Sequence, residues 1–401
     1  MLLLVCWACR TEVPFVSLGL DDVYKVARMQ TLALRPAYTG ENYRWTVKTA
    51  SGVDSLLAET QYYMFLMRYP GVYEVTFSII DPVNPIVHPM TIHVVNEEVE
   101  YSPYIAHVQE YRPAPGQFVN AMPVYQEGDN EETMRMKAEE SLSGGSGAGV
   151  SLGAYGGYVT FGFDHTVINV HGEQDFRIDG NAFRSAQHPG VDAGSSEPGI
   201  VMVMFDENQN GLPDDKWYEI DKNPWYTDDV AAYGYSITYD RPAADHIAVP
   251  GDGSLTDMEY VRWEDNKGKS GYVYKNKFHD QEYYPEWIPE DRMTFSGTLL
   301  PKNAEDVSGD GTYYLQYMFK YGAYVDNYPN NDTDEDGGWM NGFDIGWAVD
   351  PLTRESVSLP GVDFIRVYTA LNQYCGWIGE TSTEVFSARD LHVRIKPGQH
   401  Q

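Results

Sequence analysis

Along much of the chain apolar and polar residues alternate one by one, and helical spacing is scarce. In Gly71-Val-Tyr-Glu-Val-Thr-Phe-Ser-Ile-Ile-Asp81, residues Tyr73, Val75, Phe77 and Ile79 fall on one face, the period of a half-buried strand. Leu32 and Leu34 repeat the pattern, as do Tyr43, Trp45 and Val47, and then Met90, Ile92 and Val94. Pro82, Pro85 and Pro89 mark a loop between strands. This spacing predicts a small β-sandwich over residues 13–98. Residues 99–149 are rich in proline and glycine and read as a linker docked onto the next domain, with one helix over Glu131–Glu140. Beyond it, Tyr158-Val-Thr-Phe-Gly-Phe163 alternates, and Ile200-Val-Met-Val-Met-Phe205 is a continuous apolar run, as in a strand covered on both faces. Tyr235, Ile237 and Tyr239 share a face, and Phe364, Arg366 and Tyr368 oppose Ile365 and Val367. Residues 150–395 are therefore expected to form a large sandwich of jelly-roll type, with 396–401 as a tail, so the whole chain is all-β.

Composition narrows the function. The 401 residues carry a formal net charge of −31, which repels phosphate backbones and anionic lipid headgroups and excludes nucleic acid as a partner. Such acidity also occurs in disordered chains, but those are poor in aromatics, whereas this one holds 31 Tyr and 9 Trp. Three cysteines make no disulfide framework. The opening Met1-Leu-Leu-Leu-Val-Cys-Trp-Ala-Cys9 is too short to span a bilayer, which takes about 20 residues. It reads as the end of a signal peptide within residues 1–12, with Ala8-Cys9 as a lipoprotein cleavage box and Cys9 as the lipid-bearing residue. The expected location is the cell surface, on the outer membrane.

Two resemblances add to this. Tyr43-Arg-Trp45, Gly71-Val-Tyr-Glu-Val75 and the closing strand resemble a PKD-like (polycystic kidney disease) module, which implies an immunoglobulin-like sandwich serving as spacer or interaction domain. Pro113–Asn120, Ser151–His165, Gly180-Asn-Ala-Phe183, Ser196-Glu-Pro-Gly199, Asn210–Asp215 with Trp217-Tyr-Glu219, and Cys375–Glu384 together resemble the PKD-like cell-surface lipoproteins of Bacteroidetes. That resemblance implies a surface protein, with some members encoded beside outer-membrane uptake systems that include those for corrinoids. It supplies no catalytic residues.

Candidate chemistry lies in loops. Asp206-Glu-Asn-Gln-Asn-Gly-Leu-Pro-Asp-Asp215 sets hard oxygens at alternating positions around a glycine, the logic of a Ca2+ loop. Asp206, Asn208 and Asn210 would give side chains, Leu212 its carbonyl, and Asp214 or Asp215 the closing carboxylate. Trp217 stands where an EF-hand has glutamate, and Glu219 lies two residues on; the other reading is an Asx-rich turn. Asp332, Asp334 and Asp336 alternate in a second acidic stretch, read either as a weak calcium loop or as a solvated one, and Asp306–Gly311 as a turn. Trp225, Tyr226, Tyr284, Trp287 and Trp377 stand near turn residues and offer flat faces to a sugar, a corrin rim or a protein; core packing is their other reading. His279 reads as a hydrogen-bonded loop residue or a metal ligand, and Cys375 as buried and inert. No nucleophile elbow, paired-histidine zinc motif or phosphate-binding loop is present.

The expectation is a non-enzymatic surface protein that captures a nutrient, corrinoid or glycan, beside an outer-membrane transporter. A carbohydrate-active hydrolase and a calcium-stiffened adhesin are the alternatives.

Overall fold

The structure is a computed structural model that describes residues 17–222, 231–320 and 323–393. The chain is all-β apart from one α-helix and two single-turn 3-10 segments among the described residues, and it divides into two units, Met1–Glu98 and Val99–Gln401. No helix among the described residues is long and apolar enough to cross a membrane. Cys9 lies outside the described residues.

In the first unit, β1 (Val23–Ala27), β3 (Tyr43–Lys48), β4 (Asp54–Ala58), β6 (Gly71–Ile79) and β7 (Ile86–Val95) form a sheet in the order β1-β7-β6-β3-β4. β2 (Leu32–Leu34) and β5 (Tyr63–Phe65) pair separately. The alternating positions do what period 2 requires: Val75, Phe77 and Ile79 from β6 and Met90, Ile92 and Val94 from β7 are buried around Trp45. Trp45 stacks at a tilt on Phe77, with ring centroids 4.5 Å apart, and its indole N–H donates to Thr60 O at 3.0 Å. Truncating so central a ring costs about 3–5 kcal/mol. One expectation is corrected: Pro89 lies inside a strand, not in a loop. It pairs with Thr76 on β6, while β1 pairs with β7 only from Thr91 onward, so β7 is still an edge on that side at Pro89 and the missing N–H can be tolerated there.

The second unit holds six sheets among the described residues, and side-chain bonds tie two of them together. The larger runs in the order Ala348–Val349, Tyr218–Ile220, Gly199–Met204, Phe364–Thr369, Tyr158–Gly162, His107–Arg112. The other runs Ser270–Asn276, Leu255–Asp265, Ala232–Asp240, Arg292–Leu299. Bonds cross between them: Thr298 N donates to Tyr368 Oη at 2.8 Å and Thr298 Oγ1 to Glu219 at 2.7 Å. The apolar run Gly199–Met204 lies between two strands, with five of its six residues buried. The stretch 99–149, expected as a linker, belongs to this unit: His107–Arg112 extends the larger sheet along Tyr158–Gly162. The helix spans Glu131–Leu142, capped by Asn130, whose side chain accepts from Thr133 N while Thr133 accepts from Asn130 N.

The C-terminal part of this unit alternates between surface and interior. After strand Phe364–Thr369 the chain runs outward through Trp377, returns inside at Glu380–Glu384, and closes as strand Ser387–Asp390 beside Phe176–Asp179. His165 secures that last strand. Its two ring nitrogens stand 2.7 Å from Asp164 and 2.7 Å from Asp390. Burial works to lower its pKa, but the two carboxylates outweigh it and hold the imidazole up to about 8.

Candidate functional site

Three features of the second unit carry chemistry. The first is the loop Asp206–Asp215, which is mostly exposed. Asp206 accepts from Asn210 N and Gly211 N, Asn210 Oδ1 from Leu212 N, and Asp215 from Asn208 N. The side-chain amides of Asn208 and Asn210 both donate to Asp214. Asp206, Asn208, Asn210 and Asp214 thus gather around one turn, which Gly211 allows at φ +74°. Glu219 is elsewhere: it is buried against Arg354 (2.9 Å) and Thr298, so it closes no loop. The second acidic stretch does not gather. Asp332 pairs with Arg184 and Asp334 with Lys222 at 3.1 Å. Asp306 caps a turn by accepting from Ser308 N and Gly309 N at 3.0 Å each.

The second feature has no signature in the sequence. Glu197, Asp326 and Glu384 are buried together, and one oxygen from each lies within 4.8 Å of the others. Asp326 accepts from Asn181 N (2.7 Å), Ala182 N (2.7 Å) and Glu384 N (3.1 Å). Glu384 accepts from the hydroxyls of Ser151 (3.0 Å) and Ser382 (2.9 Å), and Glu197 from Ser382 N (3.2 Å). Among the described residues no Lys, Arg or His ion-pairs with any of the three. Burial therefore dominates their titration. It raises Glu197 well above the usual carboxylate range, with Glu384 and Asp326 adding repulsion, and pushes Glu384 up to about 8 and Asp326 up to about 7. Glu380, buried nearby, is pushed up to about 7 by the same cause. With no compensating cation among the described residues, carboxylates this close stay buried by holding protons or by sharing a cation.

The third feature is aromatic. Trp225 and Tyr226 lie outside the described residues. The structure places Tyr284 (2% exposed) and Trp287 (5% exposed) in the interior. Trp287 stacks against Tyr111 and Tyr125, and Tyr284 donates to Glu290 O with the Arg241 guanidinium over its ring. Trp377 is different: half of it is exposed, and its ring meets Phe278, itself 53% exposed, at 70° with centroids 6.4 Å apart. Phe118, 39% exposed, meets His279 at 70° and 4.7 Å. Neither ring nitrogen of His279 hydrogen-bonds to a described residue, and partial burial lowers its pKa, so the imidazole is neutral at pH 7. Cys375, just before Trp377, is buried, and burial pushes its thiol up to about 12, so it is inert.

Sequence reasoning named Trp377 as a ligand contact, read His279 as a hydrogen-bonded loop residue or a metal ligand, and did not name Phe118 or Phe278. The adjacent pairs Gln117-Phe118 and Phe278-His279 were the available signal. No family model matches the chain, and no curated protein matches it.

Proposed function

We propose that this chain is a lipid-anchored cell-surface protein that captures a nutrient ligand on the face formed by Phe118, Phe278, His279 and Trp377, beside an outer-membrane transporter. The observation that carries the reading is the exposure of three aromatic rings in two edge-to-face pairs, Phe278 with Trp377 and Phe118 with His279, which adjoin in sequence at Phe278-His279. Large apolar rings left in water in a cluster are the usual sign of a recognition surface. A corrinoid is the first ligand to test: the rings suit its apolar edges, and His279 offers a nitrogen to its metal. A glycan is the second reading, supported by the exposed flat face of Trp377, on which a sugar ring can stack. Glu197, Asp326 and Glu384 are buried inside the unit, so this carboxylate cluster adds no support to a hydrolytic reading. Calcium, where it binds, is assigned to the Asp206–Asp215 loop.

The test is capture by the purified chain lacking residues 1–9. Cobalamin is followed by its absorbance through gel filtration, and neutral glycans are presented on an array. Binding of either probe that is lost in Trp377→Ala supports the reading. Binding of neither, or binding indifferent to Trp377, overturns it.

A further inference from the structure

The three ring-bearing segments share one buried side chain. Gln117 precedes Phe118 and is 1% exposed. Its Nε2 donates to Ile378 O, one residue past Trp377. Its Oε1 accepts from Asn276 Nδ2 at 3.0 Å, two residues before Phe278. Its backbone N donates to Glu380 Oε1 at 2.7 Å, and its backbone O accepts from Gln281 Nε2. Asn276 Oδ1 in turn accepts from Phe278 N and His279 N, so the tie reaches the backbone that carries both rings. Two glycines keep room for this junction. A Cβ on Gly379, which sits at φ +88°, would stand 1.8 Å from Gln117 Nε2, and one on Gly116 would stand 2.6 Å from Glu380 Oε1. A buried amide that uses both its donor and its acceptor across separate segments fixes them relative to one another, because leaving either end unpaired is costly.

We infer that Gln117 is the positioning residue that assembles Phe118, Phe278–His279 and Trp377 into one preformed surface, an inference that rests on the capture reading for its purpose but not for its test. The rings form two pairs with no ring contact between them among the described residues: Phe278 meets Trp377, and Phe118 meets His279, edge to face, with Phe118, Phe278 and Trp377 exposed. Preorganisation of this kind strengthens binding by removing the ordering cost from the association step.

The experiment uses hydrogen exchange by mass spectrometry on the whole chain, without ligand. In Gln117→Met, which keeps the length of the side chain and removes its hydrogen bonds, amides in 276–281 and 376–380 should both exchange at least tenfold faster. Strands 158–162 and 199–204 should be unchanged. If only one segment responds, or neither, Gln117 does not couple them and the inference fails. Gln281→Ala cuts a single tie and covers the case in which Gln117→Met does not fold: it should loosen 276–281 while leaving 376–380 protected, and equal loosening of both would contradict the inference. Binding adds a second readout. Where the wild-type chain retains cobalamin, Gln117→Met and Trp377→Ala should be non-additive, the double variant binding no more weakly than Trp377→Ala alone, and additive losses would show a merely structural role. A wild-type chain that binds no probe while the two segments still loosen together refutes the capture reading and leaves the positioning role standing.

Discussion

The aromatic face and the carboxylate centre lie within a few residues of each other on the segment Tyr374–Val385, and both invert ordinary burial. At Trp377 the chain sets a large ring in water beside Phe278. At Glu384, seven residues on, it sets a carboxylate inside the unit, next to Glu197 and Asp326 and without a basic partner among the described residues. An exposed Leu or a buried Val says little about a protein, whereas a buried acid cluster or an exposed cluster of rings departs from what folding alone selects. The two inversions differ in what stabilises them. The carboxylates are satisfied by backbone amides and serine hydroxyls, so they belong to the folded interior. The rings meet one another edge to face and stay largely in water, with Lys277 over Phe278, so less of the fold rests on them.

That contrast can be broken in order of effect. Asp326→Ala should be the most damaging change, because it strands the buried N–H groups of Asn181, Ala182 and Glu384. A loss of about 3–5 kcal/mol is expected, read by urea unfolding; a loss under about 1 kcal/mol would mean those amides find other partners.

Next is pH. Asp326 and Glu384 hold their protons in the folded state up to about 7 and about 8, against about 4 in an unfolded chain. The folded state therefore binds more protons between those values, and stability present at about pH 4–5 is lost as pH rises through 7 and 8. His165, held up to about 8, acts in the same direction: its share is present below about 6.5 and is lost as pH rises through 8. Each extra bound proton contributes a slope of about 1.4 kcal/mol per pH unit. Unfolding free energy should fall from pH 5 to 8, and Glu384→Gln should flatten the fall. A profile that rises over this range contradicts the protonated centre.

Trp377→Ala, at a half-exposed ring, should cost about 1–2 kcal/mol and still weaken capture at least tenfold. Trp287→Ala supplies the contrast: it empties the slot against Tyr111 and Tyr125 and should cost about 3–5 kcal/mol, with no direct effect on the ring face. The smallest effect is expected at the exposed loop. Calcium should raise the Tm of the wild-type chain by a few degrees and leave Asp206→Ala unmoved; an equal response in both would remove the loop as the site.

The strands of the first unit were legible because one face of each is buried and the other is not, so Val75, Phe77 and Ile79 alternate cleanly with polar residues. His107–Arg112 was not, because the prolines around it suggested a linker, while its pairing partner, Tyr158–Gly162, lies some fifty residues away. The Asp206 loop was legible for a local reason: all its donors come from one turn. The carboxylate centre was not, since its members stand at positions 197, 326 and 384 and meet only through the fold, although Glu197 and Glu384 lie in segments whose joint pattern already stood out. Trp287 and Trp377 show the same limit. Both follow turn-rich sequence, and what separates them is Tyr111 and Tyr125, brought from elsewhere to cover only Trp287.

The central claim is that the exposed rings capture a ligand, and gel filtration of wild-type and Trp377→Ala chains with cobalamin tests it most directly. The account predicts that corrin absorbance travels with the wild-type protein and stays behind in the Trp377→Ala run. Absorbance travelling equally with both proteins, or with neither while the glycan array is also blank, would contradict it.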